Sequence, residues 1–96
     1  MSALMISTIA VKDAAKFQEY LAKTQEVAQT FGAELVFRGK LDRVLNGNGG
    51  HQIVVVAKFP SAEKLNAWFD SPEYQPLIPL REEGAHMNMT AYDAIG

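Results

Sequence analysis

The sequence contains no cysteine. Disulfide frameworks, thiolate zinc sites, iron–sulfur clusters and cysteine nucleophiles are therefore excluded. Positive charge is also scarce, because 9 Lys and Arg residues stand against 11 Asp and Glu residues and the formal net charge is −2. Surfaces that bind nucleic acid or anionic membranes carry clustered positive charge. We therefore expect neither a nucleic-acid partner nor a membrane partner.

Long apolar runs and targeting patterns are missing as well. No stretch approaches the roughly 18 consecutive apolar residues of a membrane-spanning helix. The opening residues, MSALMISTIAV, contain neither a basic n-region nor an A-x-A cleavage pattern. These two absences predict a cytoplasmic protein.

The composition is that of one ordinary globular domain. The chain has 96 residues, of which 48% are hydrophobic and 21% are charged. We therefore expect a single domain over residues 1–96. A chain this short buries only about 60–65% of its unfolded surface, so burial against a second subunit would add stability.

The first half of the chain predicts a strand, a helix and a second strand. Residues 3–11 (ALMISTIAV) are almost continuously apolar, which is typical of a strand buried on both faces. From about 13 to 31, apolar residues recur at steps of three and four after the N-cap Asp13, which predicts an amphipathic helix. Residues 33–38 predict the second strand, and Gly39 is interpreted as a β-bulge.

The middle of the chain predicts a hairpin. Residues 41–45 resume an extended pattern, and the segment 46–50 (NGNGG) is a flexible loop by composition. This loop returns the chain into residues 52–59, the most apolar stretch of the sequence, which we place at the sheet centre.

The last third predicts a second helix and a final strand. Ser61 caps the helix, and Trp68 belongs to its buried edge and therefore to the core. Ser71 caps a further segment, 71–83, whose prolines limit it to one or two short turns. Residues 86–92 (HMNMTAY) alternate polar and apolar residues and predict the last strand.

The predicted order is therefore β-α-β-β-α-β. Two right-handed crossovers place both helices on one face of an antiparallel sheet, which is the ferredoxin-like plait of the α+β class. The first and third strands are apolar on both faces, so the face without helices also favours burial. We predict that a second copy covers it and forms a dimeric α+β barrel. The alternative is that segment 71–83 folds over that face within one chain.

Arg38 is the first candidate ligand-binding residue. A bulge at Gly39 would place Arg38 opposite Ala57. On that register it shares the face without helices with Glu34, Val36, Ile53 and Val55. A guanidinium facing the barrel interior can hold a carboxylate or an enolate. The alternative is an internal ion pair with Glu34.

Tyr74 and Arg81 lie in the proline-broken segment and are further candidates. Tyr74 can donate a hydrogen bond to an oxyanion, and Arg81 can clamp an anion. We predict that both stand at the rim of a pocket that contains Arg38. The alternatives are a packing role for Tyr74 and an intersubunit ion pair for Arg81.

His86 and Asn88 complete the candidate residues. His86 can act as a general base near neutral pH if it points into the barrel together with Asn88; the alternative is a surface histidine at a strand start. The catalytic candidates are thus His86 and Tyr74, and the ligand-binding candidates are Arg38, Tyr74, Arg81 and Asn88. The two histidines form no metal-ligand pattern, so we expect neither a metal site nor a cofactor.

Several motifs together resemble one protein family, DUF1330, and they span nearly the whole chain. These motifs are Arg38-Gly39, Val44-Leu45-Asn46-Gly47, Phe59-Pro60-Ser61-Ala62-Glu63, Ala67-Trp68-Phe69-Asp70-Ser71-Pro72-Glu73-Tyr74-Gln75 and Pro79-Leu80-Arg81. The chain departs from the family at Lys40, where a glycine is frequent, and at Asn46, where a glutamate is frequent. The resemblance implies a small bacterial protein of uncharacterised function in the dimeric α+β barrel superfamily.

The residues and the resemblance leave three hypotheses about function. The first is binding or transformation of a small organic acid or carbonyl compound without a cofactor. The second is a non-catalytic dimeric binding or regulatory module. The third is a haem or metal protein, which two unclustered histidines support poorly. The superfamily itself includes cofactor-free monooxygenases, isomerases, haem proteins and binding proteins, so the fold does not choose between them.

Overall fold

The computed structural model describes residues 2–95. Its elements are, in chain order, strand β1 (Ala3–Val11), helix α1 (Ala14–Thr30), strands β2 (Glu34–Lys40) and β3 (Ile53–Phe59), helix α2 (Ala62–Phe69), a 3-10 turn (Gln75–Leu77), helix α3 (Ile78–Gly84) and strand β4 (Ala85–Asp93). The predicted β-α-β-β-α-β order is confirmed, with α3 as a short additional helix.

The helix ends follow the capping signals in the sequence. The Asp13 carboxylate accepts a hydrogen bond from the backbone N–H of Lys16 at 3.1 Å and so begins α1. Ser61 does the same for Lys64, also at 3.1 Å, at the start of α2. Gly32, which follows α1, has φ of 86°, a left-handed conformation that favours glycine.

The sheet is antiparallel and has the order β2-β3-β1-β4. The central strand β1 pairs with β3 on one side and β4 on the other, which accounts for its continuous apolar sequence. Its residues Ala3, Ser7 and Ile9 are buried under the helices, and Phe59 of β3 lies opposite Ala3 on the same face. We call this side the helix face and the opposite side the outer face.

The core forms between the helix face and the helices. Trp68 of α2 is 2% exposed, and its ring centroid lies 5.4 Å from that of Phe59. This confirms the predicted core position of Trp68. Helix α3 packs against α1 on the same side of the sheet, with Lys16 and Glu83 forming an ion pair between them. Segment 71–83 therefore does not cover the outer face, and that alternative is wrong.

The β-bulge lies at Val36, three residues before the predicted position at Gly39. Leu35 pairs with Ala57 and Phe37 pairs with Val56, so the extra residue is Val36 and not Gly39. A Cβ at Gly39 would lie 2.6 Å from a ring carbon of Phe37, so a larger residue there would require that half-exposed ring to move aside. The ring of Phe37 thus occupies the space that a side chain at Gly39 would need.

The corrected bulge also corrects the faces of the strands. Arg38 pairs with Val55 rather than with Ala57. Both Val55 and Ala57 lie on the helix face, because they alternate in step with buried Phe59. Arg38 therefore lies on the helix face, whereas the predicted register placed it on the face without helices. The outer face of β3 is formed by Val54 and Val56.

The hairpin between β2 and β3 is less regular than predicted. The predicted extended segment 41–45 has no strand structure, and the chain from Leu41 to Gln52 forms a long exposed connection. One hydrogen bond, from the Leu41 N–H to the Gln52 carbonyl at 2.6 Å, closes its base. His51 is anchored nearby, since its Nδ1 donates to the Thr8 carbonyl at 3.0 Å.

The outer face remains apolar and open. Large side chains on it or on the adjoining hairpin are about half exposed in the single chain, among them Val36 at 53%, Phe37 at 56% and Tyr92 at 54%. Leu4, Ile6, Val54 and Val56 form its centre and are only partly buried. A contiguous apolar surface of this kind is typical of a protein interface.

Candidate functional site

A cavity of about 360 Å³ lies between α1 and the helix face of the sheet. Its buried lining residues form the floor, and they are Ser7, Ile9, Tyr20, Phe59 and Trp68. Its exposed lining residues, which include Gln25 and Gln29 on α1 and Leu35 and Arg38 on β2, mark where it opens. The cavity therefore opens between α1 and the edge strand β2, and its size suits a small molecule.

The wall of the cavity is mainly apolar and adaptable. Three aromatic residues contribute to it, and so do the methionines Met5, Met87 and Met89. Unbranched thioether side chains adjust their rotamers to irregular shapes. This wall can therefore accommodate a flat or bulky apolar frame without a large change of the backbone.

Polar atoms without partners are concentrated at this cavity. Within residues 2–95, the buried side-chain nitrogen and oxygen atoms that lack a hydrogen-bond partner are Ser7 Oγ, Thr24 Oγ1 and Trp68 Nε1. All three residues line the cavity, although they come from β1, α1 and α2 respectively. The Thr24 hydroxyl lies close enough to the Tyr20 hydroxyl to lower its pKa, so Ser7 and Trp68 are the two that lack any polar neighbour of this kind. Each unpaired buried polar group lowers the free energy of unfolding by about 1–3 kcal/mol. Several such groups around one cavity are therefore typical of a site that binds a polar ligand.

Arg38 stands at the opening of the cavity and is exposed to solvent. Among the residues that the structure describes, the ion pairs are Lys16–Glu83, Lys23–Glu19 and Arg81–Glu82, so Arg38 takes part in none. Glu34 lies opposite Lys58, on the outer face, because the bulge at Val36 reverses the alternation between Glu34 and Arg38. Glu34 also contributes to the edge of the cavity, but none of the ion pairs above includes it. The alternative ion pair between Arg38 and Glu34 is therefore not formed.

Tyr74 and Arg81 belong to a buried hydrogen-bond chain behind the floor. The Tyr74 hydroxyl lies 2.8 Å from the Tyr20 hydroxyl, and Arg81 Nη1 donates to Tyr74 at 2.9 Å. The second guanidinium nitrogen of Arg81 donates to Glu82 at 3.0 Å. Tyr20 lines the cavity, so the chain runs from the cavity wall to the surface near Glu82.

This geometry corrects the predicted rim. Tyr74 is fully buried, with its ring centroid 4.5 Å from that of Trp68, and it does not line the cavity. Arg81 is 14% exposed and is also set back from the opening. Burial of the SPEYQ turn against α2 places Tyr74 in the core, and Tyr20 is the residue that connects it with the cavity.

His86 and Asn88 lie elsewhere. They occupy β4 positions opposite Ala10 and Thr8, on the outer face, and both are exposed. The structure therefore does not bring them together with Arg38, Tyr74 or the cavity. Strand alternation explains the separation, because Met87 and Met89 take the helix-face positions of β4.

Sequence reasoning did not identify Ser7, Tyr20 or Thr24 as site residues. Tyr20 and Thr24 lie on the apolar stripe of α1 and could be read only as packing residues. Ser7 carried a usable signal, because it and Thr8 are the polar residues within an otherwise apolar central strand. A polar residue at such a position is either paired or reserved for a ligand.

The surroundings of Tyr20 in this hydrogen-bond chain keep its phenol neutral. Burial raises the pKa of Tyr20 far above its usual value, and the adjacent Tyr74 adds to the rise. Burial alone would lower the pKa of Arg81, but its hydrogen bond to Glu82 and the nearby Tyr74 raise it. The same guanidinium lowers the pKa of Glu82. Tyr20 is therefore a hydrogen-bond donor at neutral pH and not a base.

Residues 2–95 contain no group of three or more His, Asp or Glu side chains that could hold a metal ion. In that part of the chain no helix is both long enough and apolar enough to cross a membrane.

Comparison with protein families gives one match over almost the whole chain. The model of the family described as a domain of unknown function, DUF1330, matches residues 2–95. No curated protein matches the sequence.

Solved structures share the fold at low sequence identity. A protein of unknown function from Rhodopseudomonas palustris has a TM-score of 0.82 at 15% identity, covering 99% of this chain and 83% of its own. SnoaB, a cofactor-independent oxygenase from Streptomyces nogalater, has a TM-score of 0.70 at 14% identity, with 99% and 94% covered. A dimeric ferredoxin-like protein of unknown function from Jannaschia has a TM-score of 0.72 at 10% identity, with 98% and 100% covered. These similarities confirm the ferredoxin-like α+β fold.

The raised pKa of Tyr20 predicts a loss of stability at high pH. A group whose pKa is higher in the folded than in the unfolded state stabilises the fold below the unfolded value, which is about 10 for tyrosine. Above that pH the unfolded chain loses its proton first, so the free energy of unfolding falls by up to about 1.4 kcal/mol per pH unit. Urea titrations between pH 9 and 11.5, in about half-unit steps, should show a steeper decline for the wild type than for Tyr20→Phe. Equal slopes would contradict the prediction.

Proposed function

The chain belongs to the DUF1330 family, and we propose that it binds a small organic acid in the cavity between α1 and the sheet. The observation that carries this proposal is the free guanidinium of Arg38 at the mouth of an apolar cavity of about 360 Å³. An apolar frame fits the interior, and a carboxylate at the mouth would meet a cation that holds no other partner. An arginine fork matches both oxygens of a carboxylate.

Binding of 2-naphthoate tests the role of Arg38. Isothermal titration calorimetry should show that Arg38→Gln weakens binding about five-fold or more, because the charge-assisted hydrogen bonds are lost at a partly screened site. Arg38→Lys keeps the charge without the fork and should give an intermediate loss. The matched control is Arg43→Gln, which removes the same charge from the exposed hairpin.

A functional Arg38 should affect binding more than stability. The thermal midpoints of the Arg38 variants should stay close to that of the wild type, since Arg38 forms no ion pair in the described chain. Equal losses in Arg38→Gln and Arg43→Gln would show long-range electrostatics only and would contradict a site at the cavity mouth.

Catalysis without a cofactor is the second candidate function. The chain Tyr20–Tyr74–Arg81 supports it, because a neutral phenol at the cavity wall backed by a cation can donate to the oxygen of a bound carbonyl compound. SnoaB, which shares the fold, is a cofactor-independent oxygenase. Such a donor favours transfer of a proton from the carbon next to the carbonyl to a base of the buffer, because it stabilises the enolate oxygen that results.

Hydrogen exchange of 1-tetralone in D₂O tests this candidate. The exchange replaces one hydrogen beside the carbonyl by deuterium and needs no co-reactant. NMR should show exchange above the buffer rate, and both Tyr20→Phe and Tyr74→Phe should reduce the enzymatic part about ten-fold or more. Binding of 1-tetralone without accelerated exchange would instead favour the non-catalytic binding module.

A homodimer is the assembly that we propose. The apolar outer face supports it, and so does the dimeric ferredoxin-like protein from Jannaschia that shares the fold. Packing two outer faces together would remove both from water at about 25 cal/mol per Å² of apolar surface. The cavity lies on the opposite face, so each copy would keep its own opening between α1 and β2.

Two residues of β2 with equal exposure test the dimer. Phe37 is 56% exposed on the outer face, and Leu35 is 55% exposed on the helix face of the same strand. Light scattering at micromolar concentration should give a dimer for the wild type and for Leu35→Asp. Phe37→Asp should give a monomer, because a dimer would bury an unpaired charge at a cost of several kcal/mol. A monomeric wild type, or a dimeric Phe37→Asp, would contradict the proposed interface.

A further inference from the structure

We propose that the ligand of the cavity is an oxo or hydroxy acid, with its second oxygen held at Ser7, and that Ser7 determines this specificity. The inference rests on the proposed binding of an acid at Arg38. It adds a second polar contact inside the cavity, opposite the mouth, and so narrows the class of ligand.

The first argument is the position of Ser7 relative to Arg38. Ser7 of β1 pairs with Val55 of β3, and Val55 pairs in turn with Arg38 of β2. The three residues therefore form one row across the helix face, perpendicular to the strands. Adjacent strands are about 4.8 Å apart, so the backbones of Ser7 and Arg38 are about 10 Å from each other along this row.

This row has the dimensions of a two-ring compound. A carboxylate at Arg38 would place the apolar frame over Val55 and the far end of the frame over Ser7. Val55 lines the cavity together with Ser7 and Arg38. A ligand in this orientation spans the cavity from its mouth to the central strand.

The second argument is the unpaired polar atoms. Ser7 Oγ and Trp68 Nε1 come from different elements, yet both residues line this one cavity. The other buried serine, Ser71, is fully engaged: its Oγ donates to the Trp68 carbonyl at 2.7 Å and accepts from the Tyr74 N–H at 3.1 Å. The lack of partners is thus a property of the cavity and not of buried serines in this fold.

The chemistry of these atoms specifies an oxygen with lone pairs. The indole N–H of Trp68 can only donate, whereas the Ser7 hydroxyl can donate or accept. A ketone oxygen can accept from the donors, and a phenolic hydroxyl can also donate to a serine oxygen. A purely apolar ligand end would leave all of these groups unpaired, and sites of this type discriminate strongly against such ligands.

The third argument concerns stability without a ligand. An unpaired buried hydroxyl destabilises the empty protein, so its removal should stabilise it. Residues that bind a ligand frequently lower the stability of the protein without that ligand, which is a trade-off between function and stability. Ser7→Ala should therefore raise the Tm by about 3 °C or more at fixed protein concentration. Ser71→Ala, which breaks two hydrogen bonds, should lower it.

The closing experiment compares 2-naphthoate with 6-hydroxy-2-naphthoate and 7-hydroxy-2-naphthoate by calorimetry. At least one hydroxy acid should bind the wild type about ten-fold more tightly than 2-naphthoate does. In Ser7→Ala this preference should fall to about two-fold or less, while the affinity for 2-naphthoate itself stays the same.

The outcomes separate this inference from the proposed function. If 2-naphthoate binds in an Arg38-dependent way but neither hydroxyl adds affinity, the inference is wrong and the acid site stands. A preference that survives in Ser7→Ala, or a Tm that falls in that variant, also overturns the role of Ser7. If none of the three acids binds, the proposed function fails.

Discussion

The β-bulge at Val36 determines what the two faces of this protein present. Side chains in a strand alternate between faces, so one extra residue reverses every position that follows it. Before the bulge, Glu34 lies on the outer face; after it, Phe37 takes the outer face and Arg38 the helix face. A regular β2 strand would place the guanidinium on the outer face and the aromatic ring at the cavity mouth. The cation at the cavity and the aromatic ring on the open surface both depend on this one irregular residue.

The reversal gives the two faces different tasks. The helix face holds the cavity, with its floor on β1 and its opening between α1 and β2. The outer face holds the exposed apolar surface. Strand β2 contributes to both through two adjacent residues, Arg38 at the cavity and Phe37 on the outer face. Substitutions at these adjacent residues can thus alter ligand binding and self-association separately, because their side chains lie on opposite faces of the sheet.

The sequence predicted the element order and the helix caps well, because Asp13, Ser61 and Gly32 act through local geometry. It also identified the apolar outer face, since β1 and β3 are apolar at both parities. The register failed at Gly39, because a glycine in a strand indicates a bulge only on average, and here it accommodates the ring of Phe37 instead. That single shift moved Arg38 to the wrong face. Tyr20 and Ser7 were missed because their role depends on contacts between distant segments.

The two polar systems of the helix face behave in opposite ways, and this contrast supports a ligand site. Tyr20, Tyr74 and Arg81 form hydrogen bonds with one another inside the core, so each has a partner within the chain. Ser7 and Trp68 lie in the same region and remain without partners. Since unpaired buried groups cost stability and this fold pairs other buried polar groups well, a purely structural role does not account for them. An oxygen atom of a bound ligand would supply the missing hydrogen-bond partners. The neutral phenol of Tyr20, in the wall of the same cavity, would be a further hydrogen-bond donor.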